Sequence, residues 1–178
     1  MSNYLLSYLR ESEVELSKAS NSKVLAQDMK NHPPLVEISH LVNLAELRET
    51  NRCQRKNFTN AIYEGELKNN KCWGRGIIQY QTGRRYEGYW VDDKRHGKGF
   101  EKFTSGNTYE GDYVNGFPNG RGIYKWKGGE MYDGEWLNAK KHGDGIWKGK
   151  AGDYYVGEWK DNKADGYGIH YWKNGNIL

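Results

Sequence analysis

Several features that often organise a protein are scarce in this chain. Its 178 residues include two cysteines, Cys53 and Cys72, too few for a disulfide framework or a cysteine metal cluster. A reducing, cytoplasmic compartment is therefore expected. No apolar run approaches the ~20 residues that a membrane-spanning helix needs. The N-terminal stretch, with Glu11, Glu13 and Glu15, lacks the basic start and apolar run of a secretory signal and is too acidic for a mitochondrial presequence.

An excess of one charge is also missing. The chain has 27 basic and 23 acidic residues, and a formal net charge of +4 is too balanced to predict a nucleic-acid partner. The apolar share is low, 36%, whereas aromatic residues reach 14% and glycine contributes 23 residues. Such a composition is unusual for a core of Val, Ile and Leu. It favours a thin, twisted sheet that is held together by rows of aromatic side chains.

Glycine divides the chain near residue 60. Residues 1–62 contain no glycine, and all seven tryptophans lie beyond this boundary. The first part predicts an α-helical N-terminal extension over residues 1–54, with a break at Pro33-Pro34. Residues 55–178 form a second, repetitive domain.

A wide apolar stripe runs from Leu35 to Glu49 at helical spacing. It is too wide for a helix that lies in water, so more than one side should be covered. Two interpretations stay open: the helix packs on the chain's own sheet, or it docks into a partner protein. The candidate contact residues are Leu35, Ile38, Leu41, Val42, Leu44 and Leu47.

The second domain is built from five copies of one unit. Equivalent tyrosines stand 23 residues apart, and each is followed by a glycine, a Gly-x-Gly and a closing glycine. This single rule assigns twenty of the 23 glycines. The units start at Tyr63, Tyr86, Tyr109, Tyr132 and Tyr155, and a half-unit is predicted over residues 55–62.

Each unit predicts a β-hairpin. In the first strand the residues alternate, as in Tyr132, Asp133, Gly134 and Trp136, which puts aromatic rings on one face and carboxylates on the other. A polar turn and the second strand follow. The glycines let a neighbouring ring lie on bare backbone, and those of Gly-x-Gly can adopt positive φ. At Gly149 the second-strand aromatic is missing, which predicts a bulge or register shift.

The pattern Tyr-Glu-Gly-x-Trp, a turn and Gly-x-Gly resembles the MORN repeat (membrane occupation and recognition nexus). The resemblance covers residues 63–177 and implies a mainly β fold, a single elongated antiparallel sheet of consecutive hairpins. Leu67 and Tyr113 depart from the Trp of the motif, and Val156 departs from its acidic residue. MORN arrays accompany catalytic domains, such as SET-domain methyltransferases and phosphatidylinositol phosphate kinases. Others are subunits of cytoskeletal and ciliary assemblies, such as radial spoke heads.

Catalysis is not expected, because this chain offers no room for a catalytic domain and resembles the second group. Gly-x-Gly in a phosphate loop must be followed by a helix, but β-type sequence follows here. His96 and His142 would lie about 19 Å apart at ~4.8 Å per strand, too far to share a metal ion. We therefore expect no enzymatic activity, cofactor, metal site or small-molecule substrate.

The favoured hypothesis is a non-enzymatic scaffold subunit of a ciliary axoneme or another cytoskeletal assembly. Its aromatic face would bind segments of other protein subunits. The candidate residues are Tyr63, Tyr86, Trp90, Tyr109, Tyr113, Tyr132, Trp136, Tyr155 and Trp159.

The alternative is a peripheral membrane adaptor whose basic side chains meet anionic phospholipids. Its candidate residues are Arg75, Lys94, Arg95, Lys98, Arg121, Lys140 and Lys141.

Overall fold

The described part of the molecule is a single sheet preceded by a short helix. The computed structural model describes residues 41–174. Within that range, helix α1 spans Leu44–Glu49 and eleven antiparallel strands follow in chain order across the sheet. The strands are β1 Gln54–Phe58, β2 Ala61–Lys68, β3 Lys71–Tyr80, β4 Arg85–Val91, β5 Lys94–Lys102, β6 Thr108–Val114, β7 Phe117–Lys125, β8 Met131–Leu137, β9 Lys140–Lys148, β10 Tyr154–Lys160 and β11 Lys163–Tyr171. The predicted mainly β sheet of consecutive hairpins is thus confirmed.

The helix predicted up to Glu49 is shorter than its apolar stripe suggests. Asn43 has an extended backbone, and its side-chain oxygen accepts a hydrogen bond from the Glu46 N–H at 3.2 Å. This N-cap satisfies a backbone donor that the helix itself leaves open, so α1 begins only at Leu44. A continuous helix through Asn43 is therefore wrong. The rest of the predicted extension, including the break at Pro33-Pro34, lies outside the described residues.

Two-residue turns join the strands of each hairpin. Both turn residues have positive φ, for example 52° at Asn69 and 58° at Asn70. Turns of this form match the right-handed twist of the flanking strands, and Asn, Asp and Gly tolerate the conformation best. Ala139, at a φ of 64°, is the exception. The five turns are Asn69-Asn70, Asp92-Asp93, Asn115-Gly116, Asn138-Ala139 and Asp161-Asn162.

Each hairpin also contains a register irregularity, at the point where its first-strand glycine faces the Gly-x-Gly. In the first hairpin Gly65 pairs with Gly76, and the register shifts before Leu67 pairs with Cys72. The positive φ expected for the Gly-x-Gly pair is found at its first glycine, with 63° at Gly74, but not at its second, Gly76. Such irregularities bend the strand and increase its twist.

The bulge or register shift predicted at Gly149 is wrong. Strands β9 and β10 pair without a shift, with Trp147 opposite Tyr155. The Gly149 N–H donates to the Asp153 carbonyl at 2.8 Å, just as the Trp126 N–H donates to its own turn partner at 3.0 Å. Because this connection uses only backbone groups, it tolerates the loss of the aromatic side chain.

Cross-strand pairing separates two faces, as the alternation predicted. On the aromatic face, which carries the five repeat tyrosines, Tyr63 pairs with Ile78, and Ile78 pairs in turn with Tyr86. On the opposite face, here called the acidic face, carboxylates alternate with apolar residues until Val156 takes the place of a carboxylate. Its central row is Glu64, Ile77, Glu87, Phe100, Glu110, Ile123, Asp133, Ile146, Val156 and Ile169.

Helix α1 lies on the acidic face of the first hairpin. Arg75 Nη2 contacts Glu46 Oε1 at 3.0 Å, and Arg48 reaches Glu64 at 3.4 Å. The hydrogen bond from Arg75 lowers the pKa of the Glu46 carboxyl. The side chain of Leu47, which belongs to the helix, is fully buried. The helix therefore leaves the aromatic face uncovered.

Candidate protein-interaction face

The nine aromatic residues that were predicted from the sequence to bind a partner form the core of the sheet. All but Tyr155, which is half-buried, are at most 8% exposed. Successive rings meet edge to face at centroid distances of 5.1–5.4 Å, as between Tyr86 and Trp90 at 5.1 Å. This geometry is favourable for aromatic pairs. These rings stabilise the sheet, so a partner on this face would meet other side chains first.

The polar atoms of the buried rings are hydrogen-bonded within the sheet. The Tyr63 hydroxyl donates to the carbonyl of Glu66 at 2.8 Å, three residues ahead, and the other repeat tyrosines make the equivalent bond. Trp136 Nε1 donates to the Gly122 carbonyl at 2.9 Å, on the adjacent strand. Burial raises the pKa of the hydroxyl well above its ordinary value in Tyr63, Tyr86, Tyr109, Tyr113 and Tyr132.

A second set of rings lies at the surface of the aromatic face. These outer rings, which are half-buried, pack against the buried ones. Tyr124 lies 4.6 Å from Trp126 and 5.7 Å from Phe103 between ring centroids. The outer rings are Tyr80, Phe103, Tyr124, Trp126 and Trp147. Within residues 41–174, no helix or strand packs over them, because α1 lies on the other face.

One buried carboxylate interrupts the aromatic row. Glu101 Oε1 accepts hydrogen bonds from Arg84 Nε at 2.6 Å and from Arg95 Nη1 at 2.7 Å, and Oε2 accepts one from the Tyr113 hydroxyl at 2.9 Å. Arg95 also donates to the Gly116 carbonyl at 2.7 Å. We refer to Glu101, Arg84, Arg95 and Tyr113 as the Glu101 cluster. It is a dense polar site inside an otherwise aromatic surface.

Lys141 provides a further cation on the aromatic face. Its ammonium nitrogen lies 4.2 Å from the ring centroid of Trp159 and 5.4 Å from that of Tyr132. Burial lowers the pKa of this amine. Aromatic faces attract cations, which offsets part of the cost of removing the charge from water.

The basic residues proposed for lipid binding do not form one surface. Arg75, Lys98 and Arg121 lie on the acidic face, where they pair with carboxylates at 3.0, 2.8 and 3.6 Å. Arg95 and Lys141 lie on the aromatic face.

The remaining two, Lys94 and Lys140, begin strands next to the hairpin turns, and Lys140 pairs with Asp161 at 2.9 Å. The set is therefore divided between two sides of the sheet and its turns.

A cavity of about 400 Å³ opens on the acidic face. Leu41 lines it together with the bare backbone of Gly99, Gly111 and Gly122 and with charged residues, among them Glu110, whose pKa is raised by burial. Of the other apolar residues proposed for docking, Val42 and Leu47 are buried and Leu44 is half-buried. Leu35 and Ile38 lie outside the described residues.

Within residues 41–174 the structure also has no grouping of His, Cys, Asp and Glu that could hold a metal ion. No helix in that range is long and apolar enough to cross a membrane.

The hairpins coincide with segments that a known family model recognises. The model of the MORN repeat matches residues 63–83, 86–108, 109–131, 132–154 and 155–177. The chain belongs to the MORN-repeat family. Its repeats are a structural and interaction module rather than a catalytic one.

No curated protein matches the sequence of this MORN-repeat chain. Among solved structures it is similar to the TCP domain of SAS-4 (dCPAP) from Drosophila melanogaster, in a complex with a proline-rich motif of Ana2 (dSTIL). The likeness covers 71% of this chain and 70% of that chain, at 15% identity and a TM-score of 0.45. It is too distant to bear on function.

The Glu101 cluster is the feature of this MORN sheet that the sequence did not point to. Its signal was nevertheless present. Position 101 is equivalent to Ile78, Tyr124 and Trp147 in other repeats, so an acidic residue there departs from the pattern. Tyr113, which replaces the Trp of the motif, is explained by the same cluster, because its hydroxyl binds Glu101.

Proposed function

We propose that this MORN-repeat chain is a non-enzymatic scaffold subunit that binds a segment of a partner protein along its aromatic face. One observation carries the proposal: the outer rings form a half-exposed aromatic row that nothing in residues 41–174 covers. Tyr, Trp, Phe and Arg are the residue types enriched in protein interfaces and their hot spots. The Glu101 cluster adds two arginines to this row.

The shape of the face favours an elongated partner. Tyr80, Tyr124 and Trp147 lie on β3, β7 and β9, the second strands of three different hairpins. A sheet that extends by repetition offers its binding surface along its whole length. A helix or extended segment that crosses the strands could therefore contact several outer rings at once.

The setting of this scaffold is proposed from the family. Because some MORN arrays are subunits of cytoskeletal and ciliary assemblies, we propose a cytoplasmic place in a large cytoskeletal complex, with the ciliary axoneme and a radial-spoke-like role foremost. Imaging of the tagged full chain in its native cells, with cross-linking mass spectrometry, tests this. Exclusive location away from microtubule-based structures and other cytoskeletal assemblies would contradict the setting but not the binding mode.

The binding mode is tested by site-specific photo-crosslinking. The photoreactive residue p-benzoylphenylalanine replaces Tyr124 on the aromatic face or, as a matched control, Tyr89, which is 45% exposed on the acidic face. Both changes exchange one aromatic side chain for another and should leave the fold intact. We expect crosslinks to a discrete protein from position 124 and not from position 89. Crosslinks only from position 89, or from neither position, would contradict the proposal.

The alternative function is a peripheral membrane adaptor. It is less well supported, because Arg75, Lys98 and Arg121 have carboxylate partners and the basic residues lie on different sides of the sheet. Sedimentation with neutral and anionic liposomes at low and high salt separates the two functions. Binding to anionic vesicles that salt abolishes would favour the adaptor. Equal binding to both kinds of vesicle, or binding to neither, would exclude the membrane-adaptor function.

A further inference from the structure

Three departures from the repeat meet at one point on the aromatic face. Where Glu101 stands, other hairpins have Ile78, Tyr124, Trp147 and His170. Where Arg84 stands, the following units have Asn107, Glu130 and Asp153, and where Arg95 stands the other units have Cys72, Pro118, Lys141 and Ala164. The hairpins without a buried carboxylate form the same sheet. The cluster is therefore not required to build the fold.

Stability does not explain the cluster either. The side chain of Glu101 is 2% exposed, and burying a charge incurs a desolvation penalty that the ion pair repays only in part. Two guanidinium groups face this single carboxylate, so the cluster carries one surplus positive charge. Arg95 is held by both oxygens of Glu101 and by the Gly116 carbonyl. Arg84 is more accessible, with 36% of its side chain exposed.

A cavity of about 250 Å³ opens beside the cluster. The charged residues Arg84, Arg95 and Glu101 line it, together with rings that include Phe103, Tyr124 and Trp136. Its volume is below the ~300–1,000 Å³ of typical small-molecule sites, so it suits one or two protein side chains. Phe117, which is 55% exposed, adds a further apolar ring to the lining.

We propose that this cavity receives an acidic side chain, Asp or Glu, next to an apolar residue, from the partner segment that the aromatic face binds. The inference rests on the function proposed above and specifies its partner. The inserted carboxylate would neutralise the surplus charge and accept hydrogen bonds from Arg84. Its apolar neighbour would lie against Phe103 and Tyr124. A guanidinium in a partly desolvated site discriminates strongly for a carboxylate over a neutral amide.

The test uses the full chain and a random-peptide display library as the probe. We expect the enriched peptides to share Asp or Glu beside an apolar residue. Binding of synthetic peptides is then measured by fluorescence anisotropy. Arg84→Gln should weaken binding about tenfold, because one desolvated charge pair is lost. The matched control is Arg85→Gln, since Arg85 is also 36% exposed and pairs with a buried carboxylate, but on the acidic face. It should leave the affinity unchanged.

A change in the peptide provides a measurement that does not depend on the folding of a variant. Replacing the shared Asp by Asn, or Glu by Gln, should weaken binding to the unmodified chain about tenfold. The same replacement should have little further effect on Arg84→Gln, because the two changes remove one interaction. Arg84→Lys should restore part of the affinity.

The outcomes separate the two proposals. Peptides that compete with one another and crosslink to position 124, but show no acidic preference and no response to Arg84→Gln, would overturn this inference and leave the proposed function standing. If the enriched peptides crosslink only at position 89, or if none is enriched, both proposals fail. Acidic peptides whose affinity depends equally on Arg84 and Arg85 would also overturn the inference, since a general charge effect would then explain the binding.

Discussion

The ring of Tyr109 occupies the space that a side chain at Gly122 would need. A methyl group on Gly122 would lie 2.3 Å from the Tyr109 hydroxyl oxygen and 2.5 Å from Cζ. The ring is fully buried, and its hydroxyl is hydrogen-bonded to the Asp112 carbonyl at 3.1 Å, so it has little freedom to move aside. The need for glycine at this position is therefore steric, and it comes from the neighbouring strand.

Gly122→Ala should lower the free energy of unfolding by about 1–3 kcal/mol, as overpacking of a core does. Urea unfolding followed by tryptophan fluorescence measures the change. In the double variant with Tyr109→Leu, which removes the opposing ring, the two losses should be less than additive. Full additivity would show that the ring and the glycine are independent and would contradict the steric explanation.

Ala139→Gly should stabilise the protein by about 0.5–1 kcal/mol, because Ala139 has a φ of 64° and glycine adopts this conformation without steric cost. The equivalent hairpin turn already has Gly116 at this position. Thermal unfolding monitored by circular dichroism provides the measurement. Ala164→Gly, at an exposed position within β11, is the control and should destabilise the sheet. A loss of stability in both variants would argue against strain at Ala139.

Glu101→Gln should destabilise the sheet by about 3 kcal/mol, the lower end of the range for a broken buried pair, because it leaves two partly exposed guanidinium groups without their counter-charge. Replacing the pair, with Glu101→Leu and Arg95→Met together, should recover most of that loss. The comparison is Glu64→Gln, which breaks a surface ion pair with Arg48 and should cost no more than about 1 kcal/mol. Equal effects at residues 101 and 64 would mean that Glu101 is effectively solvated.

Stability should fall steeply as the pH rises above about 10, the ordinary pKa of tyrosine. Burial raises the pKa of five tyrosines in the folded chain, so these hydroxyls stay protonated there while those of the unfolded chain ionise. The folded state then binds more protons, and the free energy of unfolding decreases with pH, by about 1.4 kcal/mol per group and pH unit.

Urea unfolding at pH 8, 9, 10 and 11 measures this loss, and absorbance near 295 nm reports tyrosinate in the folded protein. We expect the midpoint to be unchanged between pH 8 and 9 and to drop sharply above 10. Ionisation of the buried tyrosines near pH 10 without unfolding would contradict the packing described for the aromatic face.

The repeat made most of the sheet predictable. Alternation along the first strand, as at Tyr132 and Trp136, predicted which residues lie on the aromatic face. The paired glycines predicted where aromatic rings pack against the backbone. The extent of α1 was not predictable from its apolar stripe, because the local cap at Asn43 outweighs helical periodicity. Periodicity also gave the face of each ring but not its exposure, since that depends on how rings from three strands cover one another.

The Glu101 cluster was harder to foresee for a different reason. Glu101, Arg84 and Tyr113 are distant in sequence, and each departs from the repeat separately. That they form one cluster is apparent only in the folded sheet, where the pairing of the strands brings their side chains within hydrogen-bond distance. A departure at a single position looks like ordinary variation, whereas departures that share hydrogen bonds form one polar site.

The strands follow one another across the sheet in chain order, and this affects how the protein folds and unfolds. Within residues 41–174, every strand pairs only with the strands before and after it. Each new hairpin can therefore add to the preceding ones while later repeats are still being synthesised, and growth of the sheet does not need to wait for a distant segment. Opening of the last hairpin would likewise break only one pairing interface, so the sheet should unravel from its ends one repeat at a time.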